Sequence, residues 1–74
     1  MPTRLEEHDS MAAQLDEMHM DNLRTMYKQF VPGADFVGQE STLMGLKILI
    51  LSNNCPEFYE TSQGGGVSQV RRKQ

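Results

Sequence analysis

The sequence predicts an all-α fold, a small antiparallel helical hairpin: a long first helix, a short apolar second helix, and a disordered C-terminal tail. Three observations carry this. Apolar residues recur at helical spacing through the first thirty positions. A nearly uninterrupted aliphatic run, Leu46 to Leu51, follows with caps on both sides. After Thr61 the apolar content collapses around Gly64-Gly65-Gly66.

The first helix is expected from about Thr3 to Phe30. Thr3 followed by Glu6 matches a capping box, in which hydroxyl and carboxylate each satisfy a free backbone N–H. Leu5, Ala12, Leu15, Leu23, Met26 and Phe30 share one face, and Glu6, Glu7, Gln14, Glu17, Asp21, Arg24, Thr25 and Lys28 the other. Acids early and bases late suit the helix dipole. Ser10 offers a second cap and marks Asp9-Ser10 as the candidate break. Val31-Pro32-Gly33 ends the helix, because proline disfavours helical geometry in the residue before it. Phe36 and Val37 are expected to pack inward from the following loop.

Gln39-Glu40-Ser41-Thr42 provides the second helix start. Ser52-Asn53-Asn54, with Pro56 beyond, provides the stop. Length favours helix for Leu46–Leu51, and a buried strand is the alternative. As a helix the segment is apolar nearly all round, and one antiparallel neighbour covers only one stripe. Gly45 would let the first helix approach, and Phe36, Val37, Phe58 and Tyr59 would cover a second side. Two or three aliphatics then stay uncovered, each forgoing about 1.5–3 kcal/mol of burial. A short extra helical turn is expected at Glu57-Phe58-Tyr59-Glu60. The expected division is a helical domain over 1–60 and a flexible tail over 61–74.

At 74 residues the chain has a marginal core, and scaffolds this small usually need a staple or a partner. Cys55 is the only cysteine, which excludes an intramolecular disulfide and suits a reducing, cytoplasmic setting. No run approaches the ~18 apolar residues of a membrane span. The acidic start MPTRLEEHDS lacks the apolar region of a signal peptide.

Catalytic and metal chemistry find little footing. His8 and His19 would lie roughly 16 Å apart on a continuous helix, too far to share an ion. Cys55 has no local group to activate it and Glu57 nearby opposes ionisation. Gly64-Gly65-Gly66 lacks the ending of a phosphate loop. No cofactor and no enzymatic activity are expected.

Charge is split. The net charge is −3, yet Arg71, Arg72 and Lys73 crowd the last residues, while residues 1–21 carry six acids against Arg4. The basic run could grip phosphates weakly, whereas the acidic face would suit a basic patch on a protein. Met11 and Met18 flank the apolar stripe with flexible thioethers that suit adaptable surfaces. The partner-binding candidates are therefore Met11, Met18, Asp21, Phe58, Tyr59, Arg71, Arg72 and Lys73.

The short length, the helical core ahead of a glycine-broken tail, and the acidic helix MAAQLDEMHMDNLRTMYKQF together resemble the small phage-encoded inhibitors of bacterial RNA polymerase. The resemblance is one of layout, so no site residue is carried over. It implies a non-enzymatic regulator in the host cytoplasm that docks on a polymerase subunit and suppresses transcription. Two other functions fit the sequence: a small homodimeric assembly or scaffold protein, and a weak nucleic-acid binder using the basic tail. Direct nucleic-acid binding is the less favoured of these, and no membrane partner is expected.

Overall fold

The computed structural model describes residues 1–65 and 67–73; Gly66 of the expected glycine hinge and Gln74 lie outside the described residues. Three helices, α1 (Arg4–Asp16), α2 (Met20–Phe30) and α3 (Leu43–Asn54), precede an antiparallel hairpin of β1 (Tyr59–Gly64) and β2 (Val67–Arg72). Single 3-10 turns at Gln39–Ser41 and Pro56–Phe58 open and close the α3 region. The fold is therefore mixed α/β, not all-α, and the tail expected to be disordered forms a sheet. β1 also runs through the expected division between residues 60 and 61.

Thr3 caps α1 as its spacing predicts, its hydroxyl accepting from the Glu6 amide at 3.1 Å. The expected continuous first helix instead breaks at Glu17–His19, and not at Asp9-Ser10. Length explains the break. A helix over Thr3–Phe30 would run roughly 40 Å, against roughly 18 Å for the twelve residues of α3. Broken, both pieces lie against α3. Half-buried Met18 and Met20 pack into the corner.

α3 is the helix that the caps predicted, with the Thr42 hydroxyl accepting from the Gly45 amide at 3.0 Å. Its Leu46 and Ile50 are fully buried, alongside Leu15 of α1 and Leu23 of α2; Tyr27, Leu51 and Tyr59 complete the core. Gly45 serves a different neighbour from the one expected. A Cβ there would collide with the Gln39 carbonyl, so the glycine admits the preceding 3-10 turn and not α1. Phe36 does pack inward, from the left-handed region (φ 57°), against Tyr27 with ring centroids 5.9 Å apart. Val37 points out and is 77% exposed.

The hairpin supplies the cover that the aliphatic helix lacked. Val70 packs against the core, and the Gln39 side chain holds its backbone from both sides: Val70 N–H donates to Oε1 at 2.8 Å, and Nε2 donates to Val70 C=O at 2.7 Å. Within the run Leu46–Leu51 every aliphatic is buried or half-buried. The expected shortfall is thus closed along most of α3 and survives only at its start, where Leu43 and Met44 are exposed. Gly64 pairs with Val67, and Gly65 turns the chain with φ 60°, a conformation glycine adopts without a Cβ penalty.

Candidate functional site

Polar and aromatic chemistry converges where α1 meets the hairpin. Arg4 and His8 are one turn apart on α1 and so face the same way. Arg4 grips Glu57 with Nε at 2.7 Å and Nη2 at 3.1 Å, and Nη2 also donates to the Asn54 carbonyl at 2.9 Å. That carbonyl lies in the last turn of α3, where a cation is favoured by the helix dipole. Hydrogen bonds from Arg4 hold the Glu57 carboxyl at about 2, well below the usual carboxylate range. The arginine is correspondingly raised by Glu57 and Glu7. Both side chains of this pair are about half exposed, so solvent screens much of the gain.

His8 is 6% exposed, and every buried side-chain polar atom around it has a partner. Its Nδ1 lies 3.0 Å from Asp9 Oδ1 and its Nε2 lies 2.8 Å from the Tyr59 hydroxyl. Assigning the proton to Nδ1 lets it donate to Asp9, leaving Nε2 to accept from Tyr59. Arg72 Nη1 lies 2.9 Å from Nε2 and 3.3 Å from Nδ1. A donor aimed along the Nε2 lone pair would sit much farther from Nδ1. The near equality therefore places Nη1 over the imidazole face and not in the plane of the ring. The same guanidinium lies 4.9 Å from the Phe58 ring centroid and 5.7 Å from that of Tyr59.

An Asp–His–hydroxyl order is the order of a proton relay, but this one ends on a phenol in the core. Tyr59 is 8% exposed, and Arg72 covers the imidazole face. Built this way, the cluster suits clasping better than turnover: it ties β2 to a helix 64 residues earlier in the chain. Among the described residues no three His, Cys, Asp or Glu side chains are grouped to hold a metal ion. His19 precedes α2 and is exposed, whereas Cys55 is 3% exposed.

The predicted partner-binding residues scatter over the molecule. Phe58, Tyr59 and Arg72 come together in the clasp. Arg71 turns to the other face of the hairpin and pairs with Glu60 at 2.9 Å. Lys73 is exposed, and its backbone amide donates to the Phe58 carbonyl at 2.9 Å. Asp21 is exposed on α2, 3.9 Å from Arg24. Met18 is half-buried in the α1–α2 corner. Met11 is half-buried too, and lines an open depression of about 340 Å³ with Pro2, Glu6, Glu7, Ser10 and Gln14.

Sequence reasoning missed His8 as the hub, Arg4 as the α3 anchor and Gln39 as the strand clamp. Only the His8–Arg4 spacing left a trace, since their partners are 50 or more residues away. The exposed large apolar side chains among the described residues are Met1, Leu5, Val37, Leu43 and Met44. Among the described residues no helix is long and apolar enough to cross a membrane. No protein-family model matches the chain, and neither a curated protein nor a solved structure matches it.

Proposed function

We propose that this chain is a non-enzymatic regulator that acts by docking on another protein, and that a subunit of bacterial RNA polymerase is the partner. The observation that carries the docking reading is the group Val37, Leu43 and Met44. They are 77%, 46% and 74% exposed, and they fall within eight residues on either side of the Gln39–Ser41 turn. Single exposed apolar side chains are ordinary on any protein. Three at one loop–helix junction, on a chain with so few apolar residues to spare, favour a surface kept for a partner. The polymerase as partner rests on the layout resemblance alone.

The basic run is less available to nucleic acid than its charge suggests. Arg71 is paired to Glu60, and Arg72 contacts His8 and lies over the rings of Phe58 and Tyr59. Phosphate binding by either arginine would compete with these contacts.

Purified chain, immobilised, should retain bacterial RNA polymerase and depress promoter-dependent transcription in a reconstituted reaction. The Val37→Ser, Met44→Ser double variant should fold normally and lose both effects. No retention and no change in transcript yield would remove the polymerase reading. Undiminished activity of the double variant would remove these residues from the docking surface.

A further inference from the structure

The two edges of the hairpin differ. Lys73 N–H donates to the Phe58 carbonyl, so residues 58 and 73 form a hydrogen-bonded pair, as do 60 with 71 and 62 with 69 in the observed register. By the same alternation, Thr61, Gln63 and Val70 direct their backbone N–H and C=O groups away from the partner strand. On the β2 edge those groups of Val70 are taken by Gln39. On the β1 edge nothing among the described residues takes those of Thr61 or Gln63, and both residues are exposed. Among the described residues β1 has no proline, no lysine and no covering loop over Thr61–Gln63, and its one charged side chain, Glu60, is paired with Arg71 of β2. A cavity of about 220 Å³, bordered by Tyr59, Glu60 and Thr61 on one side and Ser52 and Pro56 on the other, leaves the start of the strand open.

We infer that the β1 edge is a dimer interface, and that the strand added to it is β1 of a second copy of this chain. Antiparallel self-pairing centred on Ser62 sets Thr61 opposite Gln63 of the other copy, so the outward groups of both residues satisfy one another. Charge favours this occupant. Glu60 is the only charged residue of β1 and lies near one end. Antiparallel pairing sends the two copies of Glu60 to opposite ends, about 13 Å apart at the usual rise per residue. That exceeds the screening length of about 8 Å at physiological salt. Each is also neutralised by its own Arg71. Two-stranded sheets are marginal alone, and pairing two hairpins makes a continuous four-stranded sheet. The docking surface at Val37, Leu43 and Met44 takes no part, so the two readings stand or fall separately.

Charge swaps at the dimer centre provide the test. The unmodified chain should sediment at twice its 8.4 kDa as concentration rises through the micromolar range. Ser62→Glu and Ser62→Lys each place like charges directly opposite and should sediment as folded monomers. An equimolar mixture should recover the dimer. If the charge variants fail to fold, Gln63→Pro removes an outward amide without touching the hairpin's own hydrogen bonds, and it should be monomeric. An unmodified chain that stays monomeric throughout overturns the inference, whether the edge then takes a foreign strand or only water. A folded Ser62→Glu that dimerises like the parent, or a mixture that stays monomeric, overturns it as well.

Discussion

The helical body and the hairpin are held by different forces. Around α3, Leu15, Leu23, Leu46 and Ile50 are buried to within 1% of complete exclusion from water, with the phenol of Tyr27 beside them. That contact is broad and non-directional, and its strength follows area. The hairpin offers Tyr59 and Val70 to the same core. It owes its placement to aimed contacts: Gln39 on the Val70 backbone and Arg72 on His8 and Phe58. Losing a few atoms from the first region leaves the same core somewhat weaker. Losing one from the second should undock an element while leaving the other folded.

The largest effect should come from the body. Leu46→Asp places an unpaired charge at a fully buried site, a change of roughly 3–5 kcal/mol or more, and should unfold the whole chain. Retained helicity by circular dichroism would show that the body is not one cooperative unit. Gln39→Ala comes next. It deletes both clamp hydrogen bonds, together about 1–3 kcal/mol. The expected readout is faster amide exchange across β2 with the helices still protected. Equal loss of protection in α3 would erase the distinction between the two regions. Arg72→Ala should cost about 0.5–2 kcal/mol through the lost cation–π contacts with Phe58 and Tyr59. Arg72→Lys should recover little, because a single ammonium cannot reach His8 and lie over both aromatic rings as the branched guanidinium does.

The smallest effect separates the regions by pH. Glu57 is lowered in the folded chain to about 2 from an ordinary value of 4.5. Its contribution is therefore full above 4.5, and is lost as pH falls through 4.5 towards 2. Acid should loosen the Arg4–Glu57 seam modestly, and Glu57→Gln should flatten that part of the acid profile. Tyr27 moves the other way, since burial raises its phenol above the ordinary 10.0. Stability gained there is present below that value and lost as alkali ionises the ring, so base should act on the body.

The same division decides what the sequence could reveal. α3 was legible because its caps and aliphatic run are local signals, and Thr3 was legible for the same reason. The break after Asp16 was not, since Glu17-Met18-His19 contains neither proline nor glycine; only the shortness of α3 demands it. The hairpin was illegible for a sharper reason. Thr61 and Arg72 share the face of Tyr59 and Val70 but are polar and exposed, so the alternation of a strand never showed. One clue was present: adjacent glycines between two short runs are a hairpin turn signal. Of the candidate site residues, Phe58, Tyr59 and Arg72 were named from the sequence. Their organising centre, His8, was not, because no local pattern distinguishes a clasp from a stray imidazole.

Arg72 reaches His8 only across 64 positions of chain. Closing so long a loop is costly, so the clasp is expected among the last contacts to form, and one flank of α3 stays wet until it does.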